Sequence, residues 1–402
     1  MRLSSCKKSY TSDTQRTVTP EETLARVERL LPAAGITRVA DITSLDRIGI
    51  PVFSSIRPTA GQGAVSVYNG KGATPAEAKV SAMMEGIERF SAEVHGQELM
   101  VARYSRIAQD RPALDPALLV LPRGADLDMP IPWVSGYDLI ANEEILVPAS
   151  AVFHPLPPHY PQLFRTSTNG LASGNTPEEA VFHALMELIE RDAWSLVEAS
   201  RDTGPAVEDI DDPLAGSLLG KFQAADVAVT VRDITSDIGI PTIAAVSDDT
   251  RLRDPTLLTI GMGSHTSARI AVLRALTEVA QSRLTQIHGA REDTTVADIR
   301  KKMGYERAKR MNRYWFEAPI QEKFSKIPSF DSPDFLDDIM LTIRRLKAAG
   351  LSRVIATDLT RAEIGVPVVR VVVPGLEIAA MDQERVGQRC RDAQHRRART
   401  RS

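Results

Sequence analysis

Two hydrophobic periods alternate along this chain. From Pro20 the apolar residues follow helical spacing up to Leu31, and residues 334–349 repeat that amphipathic pattern. Between them, runs of β-branched residues bounded by turn residues predict strands. The predicted strands cover residues 36–43, 50–58, 64–68, 131–139, 144–148, 227–233, 240–246, 257–263, 353–357 and 366–373. This interleaving predicts an α+β fold with mixed sheets flanked by helices.

One helical pattern occurs three times. The segment from Gly72 to Arg89 aligns without a gap with the segment from Gly174 to Arg191, and a fainter copy covers Ala268 to Leu284. Three columns of the alignment hold identical or similar residues: Glu85, Glu187 and Glu278; Glu88, Glu190 and Gln281; Ala82, Ala184 and Ala275. The copies are about 90 to 100 residues apart, which is the size of a supersecondary unit with insertions. The sequence therefore predicts an internally repeated helical E-x-x-E element.

The first two copies begin with the same helix-start signal. Thr74 and Thr176 each precede a proline and are followed, three residues later, by a glutamate, as in N-capped helices with proline at the first position. A glycine-bearing loop comes before each cap, at residues 70–72 and 170–174. Backbone N–H groups at such a helix end favour an anion, although the spacing is not that of a Walker A loop.

Two glutamates share one face of each helix. At about 100° per residue, the following side chains fall within about 60° of one another: Ser81, Glu85 and Glu88 on the first helix, and His183, Glu187 and Glu190 on the second. A solvated stripe is the ordinary explanation of such pairs. The second helix, however, is apolar on its other faces, which predicts burial, and buried neighbouring carboxylates need a cation or several donors. Oxygen ligands suit Mg²⁺, which usually arrives with a phosphate-bearing substrate. The pattern therefore predicts a Mg²⁺–nucleotide site, with Arg89 and Arg191 as phosphate partners.

These motifs resemble those of the YcaO family. The resemblance rests on NGKGAT followed by S-x-x-x-E-x-x-E-R ending at Arg89, on NGLASGNT followed by E-x-x-E-R ending at Arg191, and on E-x-x-Q-S-R-L ending at Leu284. It covers residues 18–380. It implies an ATP-binding fold in which ATP activates a peptide backbone amide by phosphorylating its oxygen.

The resemblance also implies roles for single residues. It implies Mg²⁺ ligands at Glu85, Glu88, Glu187 and Glu190. It implies nucleotide contacts at Ser81, Asn175, Glu179, Arg191 and Gln281. It implies a catalytic part for Glu187, Glu190 and Arg191. Lys71 and Arg283 match the family less closely, and we assign them no role.

Two products are compatible with this resemblance. A neighbouring Cys, Ser or Thr side chain as nucleophile would give an azoline, and external sulfide would give a thioamide. Azoline-forming members often end in a proline-rich tail, whereas this chain ends in Arg-Thr-Arg-Ser. No recognisable peptide-docking domain precedes Pro20. Both differences argue against azoline formation. The N-terminal region resembles members that act with a TfuA partner. We therefore expect a thioamide-forming enzyme with a peptide or protein substrate, a TfuA-like or other accessory protein and, from the family, a homodimer.

Two functions of another class stay open. E-x-x-E helices also occur in di-metal redox proteins, but those bundles usually pair Glu with E-x-x-H, and neither copy has that histidine. A non-catalytic binding subunit that keeps the YcaO fold would carry the same motifs.

The composition of the chain also argues against several classes of protein. The 402 residues include 49 basic and 52 acidic side chains, so the net charge of −3 gives no nucleic-acid footprint. Cys6 and Cys390 form neither a disulfide framework nor a zinc spacing, and no apolar run has membrane-spanning length. We expect a cytoplasmic protein without nucleic-acid or membrane partners. We expect a mobile segment at residues 1–16, one catalytic domain at residues 17–382 and a basic, disordered tail at residues 383–402.

Overall fold

The computed structural model describes residues 1–290, 295–317 and 319–401. Its α-helices are α1 (Pro20–Val27), α2 (Pro75–Ser91), α3 (Tyr104–Asp110), α4 (Pro177–Ser200), α5 (Pro213–Ala224), α6 (Ala268–His288), α7 (Thr295–Met303), α8 (Tyr305–Met311), α9 (Arg313–Phe316), α10 (Phe335–Ala348) and α11 (Gln388–Arg401). No helix within these ranges combines the length and the apolar character needed to cross a bilayer.

The strands are β1 (Tyr10–Thr11), β2 (Gln15–Arg16), β3 (Arg38–Asp41), β4 (Val52–Ile56), β5 (Val67–Lys71), β6 (Met100–Ala102), β7 (Ile131–Asp138), β8 (Glu143–Pro148), β9 (Leu171–Ser173), β10 (Ala206–Glu208), β11 (Ala228–Asp233), β12 (Thr242–Asp248), β13 (Ile260–Ser264), β14 (Gln321–Lys323), β15 (Ile355–Asp358) and β16 (Val368–Val372). Each predicted strand overlaps one of these. The strands that the hydrophobic pattern did not predict are only two or three residues long, too short to show a period.

Three sheets supply the strands that lead into the repeated helices. Their orders are β3-β4-β5, β6-β7-β15-β16-β9 with β8 beside β7, and β13-β12-β11-β10-β14. Pairing is antiparallel except between β10 and β14. In each sheet the edge strand directly precedes one helix: β5 leads to α2, β9 to α4 and β13 to α6. The α+β prediction is confirmed, but only the sheet that contains β10 and β14 is mixed, and the other two sheets are antiparallel.

The predicted helix starts are confirmed. The Thr74 hydroxyl accepts from the Glu77 N–H at 3.3 Å, and the Glu77 carboxylate accepts from the Thr74 N–H at 2.8 Å, which completes a capping box. The Thr176 hydroxyl likewise accepts from Glu179 N–H at 3.2 Å. The glycines of the first loop have a packing reason, because a Cβ on Gly70 would lie 1.9 Å from the backbone N of the following helix.

Each of the three helices lies at the centre of its own apolar cluster. α2 contributes Met83 and Ile87 to the largest cluster, and the apolar faces of α4 and α6 contribute to the second and third clusters. From Ala180 to Met186 every side chain of α4 is buried, as its apolar pattern predicted. Burial of these faces fixes the rotation of each helix and so decides where its glutamates lie.

Residues 1–16 differ from the mobile segment that we expected. β1 and β2 form a hairpin that packs on the N-terminal ends of α2 and α4. Asp13 accepts from the Ala73 N–H at 3.0 Å, and both the N–H and the hydroxyl of Thr17 donate to Glu179 at 2.9 Å. The polar composition of the segment reflects these hydrogen bonds with groups at the helix ends.

The C-terminal residues also differ from expectation. Within residues 383–401, α11 packs against α4, and Arg389 forms two hydrogen bonds with the buried Asp192, at 2.9 and 2.8 Å. The Cys390 side chain is buried, and its N–H donates to Glu377 at 2.9 Å. Only part of the basic charge faces solvent, because some of it neutralises buried carboxylates. Ser402 lies outside the described residues.

Candidate active site

The two glutamates of α4 lie near those of α2 in a partly buried region, called the recess below. Glu190 is 3% exposed, and Glu187 keeps partial exposure although all its neighbours from Ala180 to Glu190 are buried. α2 contributes Glu85 and Glu88, which are half-buried. All four carboxylates are therefore at least partly removed from bulk water.

Strand edges hold two of these carboxylates in place. Glu88 of α2 accepts from the N–H of Ser173, at the end of β9, at 3.0 Å. Glu190 of α4 accepts from the N–H of Ser264, at the end of β13, at 3.2 Å. In both cases the second glutamate of one helix bonds the edge strand of the next sheet, which positions it in the recess.

The third helix closes the ring of contacts. Glu278 of α6 pairs with Lys71 at the end of β5, and the Gln281 amide donates to the Asn69 carbonyl in the same strand. The helices α2, α4 and α6 therefore contact β9, β13 and β5 respectively. This cyclic arrangement joins three separate sheets around one recess.

Electrostatic coupling shows which charges share the recess. Burial raises the pKa of Glu88 to about 8; the Arg89 guanidinium opposes this shift, and the charges of Glu85 and Glu187 add to it. Glu85 pairs with Arg89 at 2.9 Å. Carboxylates from α2 and α4 thus lie close enough to disfavour each other's charge.

The same holds on the side of α6. Burial raises the pKa of Glu190 to about 7; Glu278 adds to this shift, and Arg274, Arg191 and Lys71 oppose it. The pKa of Arg191 is raised, since the attraction of Glu187, Glu190, Glu278 and Glu85 outweighs its burial, which by itself lowers it. Four predicted glutamates and the predicted arginine therefore lie in one electrostatic neighbourhood.

Several buried arginine donors around the recess have no partner among the described residues. They are the Nε atoms of Arg89, Arg191 and Arg274. Unpaired buried N–H groups are costly, and guanidinium groups match phosphate oxygens well. Donors beside carboxylates fit an anionic ligand that arrives with a cation, as a metal–polyphosphate complex does.

The carboxylates do not form a complete metal cage by themselves. Within the described residues, no three His, Cys, Asp or Glu side chains come together as a metal-binding group. Mg²⁺ is usually held by one or two carboxylates together with substrate phosphates and water, so this partial donor set suits it. Which of the four glutamates bind the ion stays a prediction.

Two predicted nucleotide contacts lie outside the carboxylate group. Asn175 donates to Glu179 at 3.2 Å, and its side-chain oxygen accepts from the Thr23 hydroxyl at 3.1 Å. Glu179 also accepts from Arg16 at 3.3 Å. Glu179 precedes Glu187 by two turns of α4, about 12 Å along the helix axis. Ser81 lies half-buried on α2, one turn before Glu85.

Near the predicted glutamates, the structure also places charged residues to which we assigned no role. Glu278 and Arg274 share alignment columns with Glu85 and Ser81, so the faint third copy already contained the signal. Arg370 interrupts a strand of valines, and a lone charge in a buried strand is a signal of a special role. Arg283, in contrast, points away to Asp46 and Asp249.

Comparison with known proteins identifies the family. A sequence model of the YcaO cyclodehydratases, described as ATP- and Mg²⁺-binding, matches residues 69–377. The chain belongs to the YcaO family. The predicted family resemblance and the predicted cofactors, ATP and Mg²⁺, are confirmed.

Two relatives match the YcaO chain over most of their length. An uncharacterised protein of Methanothermobacter thermautotrophicus is 52% identical, with 94% of this chain and 98% of that protein covered. An uncharacterised protein in the tfuA 3′ region of Rhizobium leguminosarum bv. trifolii is 34% identical, with 90% and 89% covered.

Two solved structures are similar to this chain over most of its length. YcaO from Methanopyrus kandleri, bound with AMPPCP and Mg²⁺, has a TM-score of 0.81 and 31% identity, covering 95% of this chain and 98% of that one. A heterocyclase in complex with substrate and cofactor has a TM-score of 0.79 and 26% identity, covering 94% of this chain and 54% of that one. The chain therefore shares the fold of these two structures over most of its length.

Proposed function

We propose that this protein uses ATP to activate a peptide backbone amide by phosphorylating its oxygen, and that it installs a thioamide with a TfuA-like partner. The observation that carries the proposal is the shared recess, where carboxylates of α2 and α4 lie beside arginine donors that have no partner among the described residues. The similarity to a YcaO structure bound with AMPPCP and Mg²⁺ supports a nucleotide as the ligand.

The carboxylates are the proposed Mg²⁺ ligands: Glu85, Glu88, Glu187 and Glu190. When bound, Mg²⁺ supplies positive charge that offsets the phosphate oxygens. Arg191 is proposed to face the transferring phosphoryl group, because its Nε is buried without a partner among the described residues. The other proposed nucleotide contacts are Ser81, Asn175, Glu179 and Gln281, and the proposed catalytic residues are Glu187, Glu190 and Arg191.

The proposed reaction balances without a further reactant. Hydrosulfide forms a C–S bond at the amide carbon, and the carbonyl oxygen takes the γ-phosphoryl group of ATP as the bond to ADP breaks. The C–O bond then breaks, the sulfur proton is lost and phosphate carries away the amide oxygen. The peptide has exchanged one oxygen for one sulfur.

One relative supports sulfide as the nucleophile, because its description places it in the tfuA 3′ region. The second candidate function is an azoline-forming cyclodehydratase that acts on Cys, Ser or Thr of a ribosomal peptide. The family description and the similar heterocyclase structure favour this alternative.

A single assay separates the two products. The purified protein is incubated anaerobically with ATP, Mg²⁺, sulfide, its TfuA-like partner and a peptide encoded near its gene, and the peptide is weighed by mass spectrometry. We expect loss of one oxygen and gain of one sulfur, dependent on ATP and sulfide. Loss of water, independent of sulfide, would instead identify an azoline-forming enzyme. Light scattering of the same sample tests the predicted homodimer.

A further inference from the structure

A small, half-open cavity is lined by β16, by the chain that follows it and by Leu188 of α4. It measures about 60 Å³ and is lined mainly by apolar side chains, including Val120, Phe164 and Leu188. Its polar lining consists of Ser167, Asn169, Arg370 and Arg385. A water molecule needs about 10–15 Å³ measured in this way, so the cavity accommodates a ligand of few atoms.

Arg370 presents free donors in this cavity. The residue is only 4% exposed, and its Nη2 donates to the Ser167 carbonyl at 2.8 Å. Its Nε and Nη1 are buried and have no partner within the described residues, and the same holds for the side-chain oxygen of Asn169. Buried guanidinium donors that lack a partner in the described chain point to an anion that satisfies them.

A second buried arginine makes the cavity more positive. Arg385 is 7% exposed, lies 3.8 Å from the centre of the Phe164 ring and donates to the Val120 carbonyl at 2.8 Å. Burial lowers the pKa of both arginines to about 10. Neither forms an ion pair with a carboxylate in the described parts of the chain. The cavity therefore holds two cations without a counter-ion of their own.

The cavity adjoins the proposed reaction site. Leu188 of its wall follows Glu187 directly, and the charges of Glu187 and Glu88 act on Arg370. Val368 pairs with Ser173, which anchors Glu88, and Arg370 lies two residues further along β16, about 7 Å away. An anion at Arg370 would thus lie beside the recess where the amide is activated.

The lining residues of the cavity favour one kind of anion over another. Phosphate is strongly hydrated and multiply charged, and apolar side chains cannot replace its water shell. Hydrosulfide has one heavy atom, one charge and a polarisable sulfur that packs well against apolar and aromatic groups. We infer that this cavity binds hydrosulfide, the sulfur nucleophile of the reaction, through Arg370. This inference rests on the proposed function.

Anaerobic calorimetry of the nucleotide-free, full-length protein tests the site. Sodium hydrosulfide is the ligand, and sodium chloride and sodium phosphate are titrated at equal ionic strength. We expect saturable hydrosulfide binding that weakens at least about tenfold in Arg370→Met, recovers in part in Arg370→Lys and is unchanged in the exposed control Arg123→Met. No saturable hydrosulfide binding, tighter binding of phosphate, or wild-type binding by Arg370→Met would each overturn the inference.

A second measurement covers the case in which Arg370→Met does not fold. Crystals of the wild-type protein soaked in bromide should show an anomalous peak beside Arg370 that hydrosulfide displaces, and its absence would overturn the site. Because these tests contain neither ATP nor peptide, they separate the two proposals. Hydrosulfide binding at Arg370 by a protein that makes only azolines would overturn the proposed function and leave the anion site in place.

Discussion

Glu187 and Glu190 differ in surroundings although they lie on one face of one helix. Glu190 is buried and anchored by the Ser264 N–H, whereas Glu187 keeps contact with the recess. Glu88 of α2 is likewise anchored by Ser173. At the residue scale, the anchored carboxylates carry raised pKa values because burial disfavours their charge, and a bound cation would restore it.

Neutralising one of these carboxylates tests their role. Glu190→Gln keeps the size of the side chain and removes its charge, and we expect ATP turnover to fall about 100-fold or more. Thermal stability of the ligand-free protein should be kept, because burial already raises the pKa of Glu190 to about 7. Phosphate release and thermal melting measure both effects. The exposed Glu144→Gln serves as control, and turnover near the wild-type value in Glu190→Gln would contradict the assignment.

Arg283 is expected to act on stability alone. It is fully buried and donates to Asp46 at 2.8 Å and to Asp249 at 3.0 Å. Arg283→Met leaves the buried Asp46 without its ion-pair partner, although Asp249 keeps its pair with Arg47, and should cost about 3–5 kcal/mol in urea unfolding. The matched control is Arg251→Met, because Arg251 forms an exposed ion pair with Asp226 at 3.9 Å. We expect this substitution to lower the free energy of unfolding by less than about 1 kcal/mol. Unchanged stability with weaker ATP binding would instead make Arg283 a nucleotide contact.

At the scale of elements, the N-terminal hairpin closes the starts of two helices. Asp13 of this hairpin accepts from the Ala73 N–H next to the cap of α2 and lies beside Glu77. Tyr10 donates to Glu77 at 2.5 Å. These contacts join the N-terminal hairpin to α2 through two neighbouring carboxyl groups, Asp13 and Glu77. We therefore expect the stability of the folded protein to depend on pH.

The pH response follows from the pKa of Asp13. Burial, together with the hydrogen bond and charge of Glu77, raises it to about 8. Between the ordinary pKa of an aspartate and about pH 8, the folded state therefore holds a proton that the unfolded state has lost. The stabilisation of the folded state by this proton is fully present below the ordinary pKa. It is lost as pH rises through about 8. The slope is at most about 1.4 kcal/mol per pH unit.

Urea unfolding from about pH 5 to about pH 8 measures this slope. Asp13→Asn, which keeps an acceptor for Ala73 without the titrating proton, should lose less stability across this range than the wild type. The exposed Asp128→Asn should keep the wild-type slope. An equal slope in Asp13→Asn would show that another group titrates.

At the scale of the whole molecule, three sheets meet through helices that each contact two of them. α2, α4 and α6 pack on the strands that precede them and also on β9, β13 and β5 of the neighbouring sheets. The C-terminal helix α11 then packs on α4 from outside. The recess therefore depends on long-range packing, and segments far from it contribute to its stability.

Removal of the C-terminal residues tests this dependence. Truncation after residue 382 removes Arg389, whose guanidinium neutralises the fully buried Asp192, and should cost about 3–5 kcal/mol. Arg389→Ala should move stability in the same direction, and Gln394→Ala on the exposed side of α11 should not. Chemical denaturation measures all three. A truncated chain as stable as the full one would mean that the tail is dispensable.

The amino-acid sequence determined the local features. Threonine, proline and glutamate at fixed spacing act within one helical turn, so the starts of α2 and α4 were predictable, and the apolar faces of α4 predicted its burial. Alignment of the copies also identified the glutamates that lie in the recess. The mixed fold followed from strand periods, apart from short strands that show none.

Tertiary structure decided the rest. Ser173 meets Glu88 across 85 positions of the chain, and Ser264 meets Glu190 across 74, so these anchors depend on sheet edges that no local pattern specifies. Arg283 and Arg370 are both buried arginines. Only the folded chain gives Arg283 its carboxylate partners and, within the part of the chain that the structure describes, leaves two donors of Arg370 without a partner. Local spacing places side chains along an element, whereas packing between distant elements decides which groups they meet.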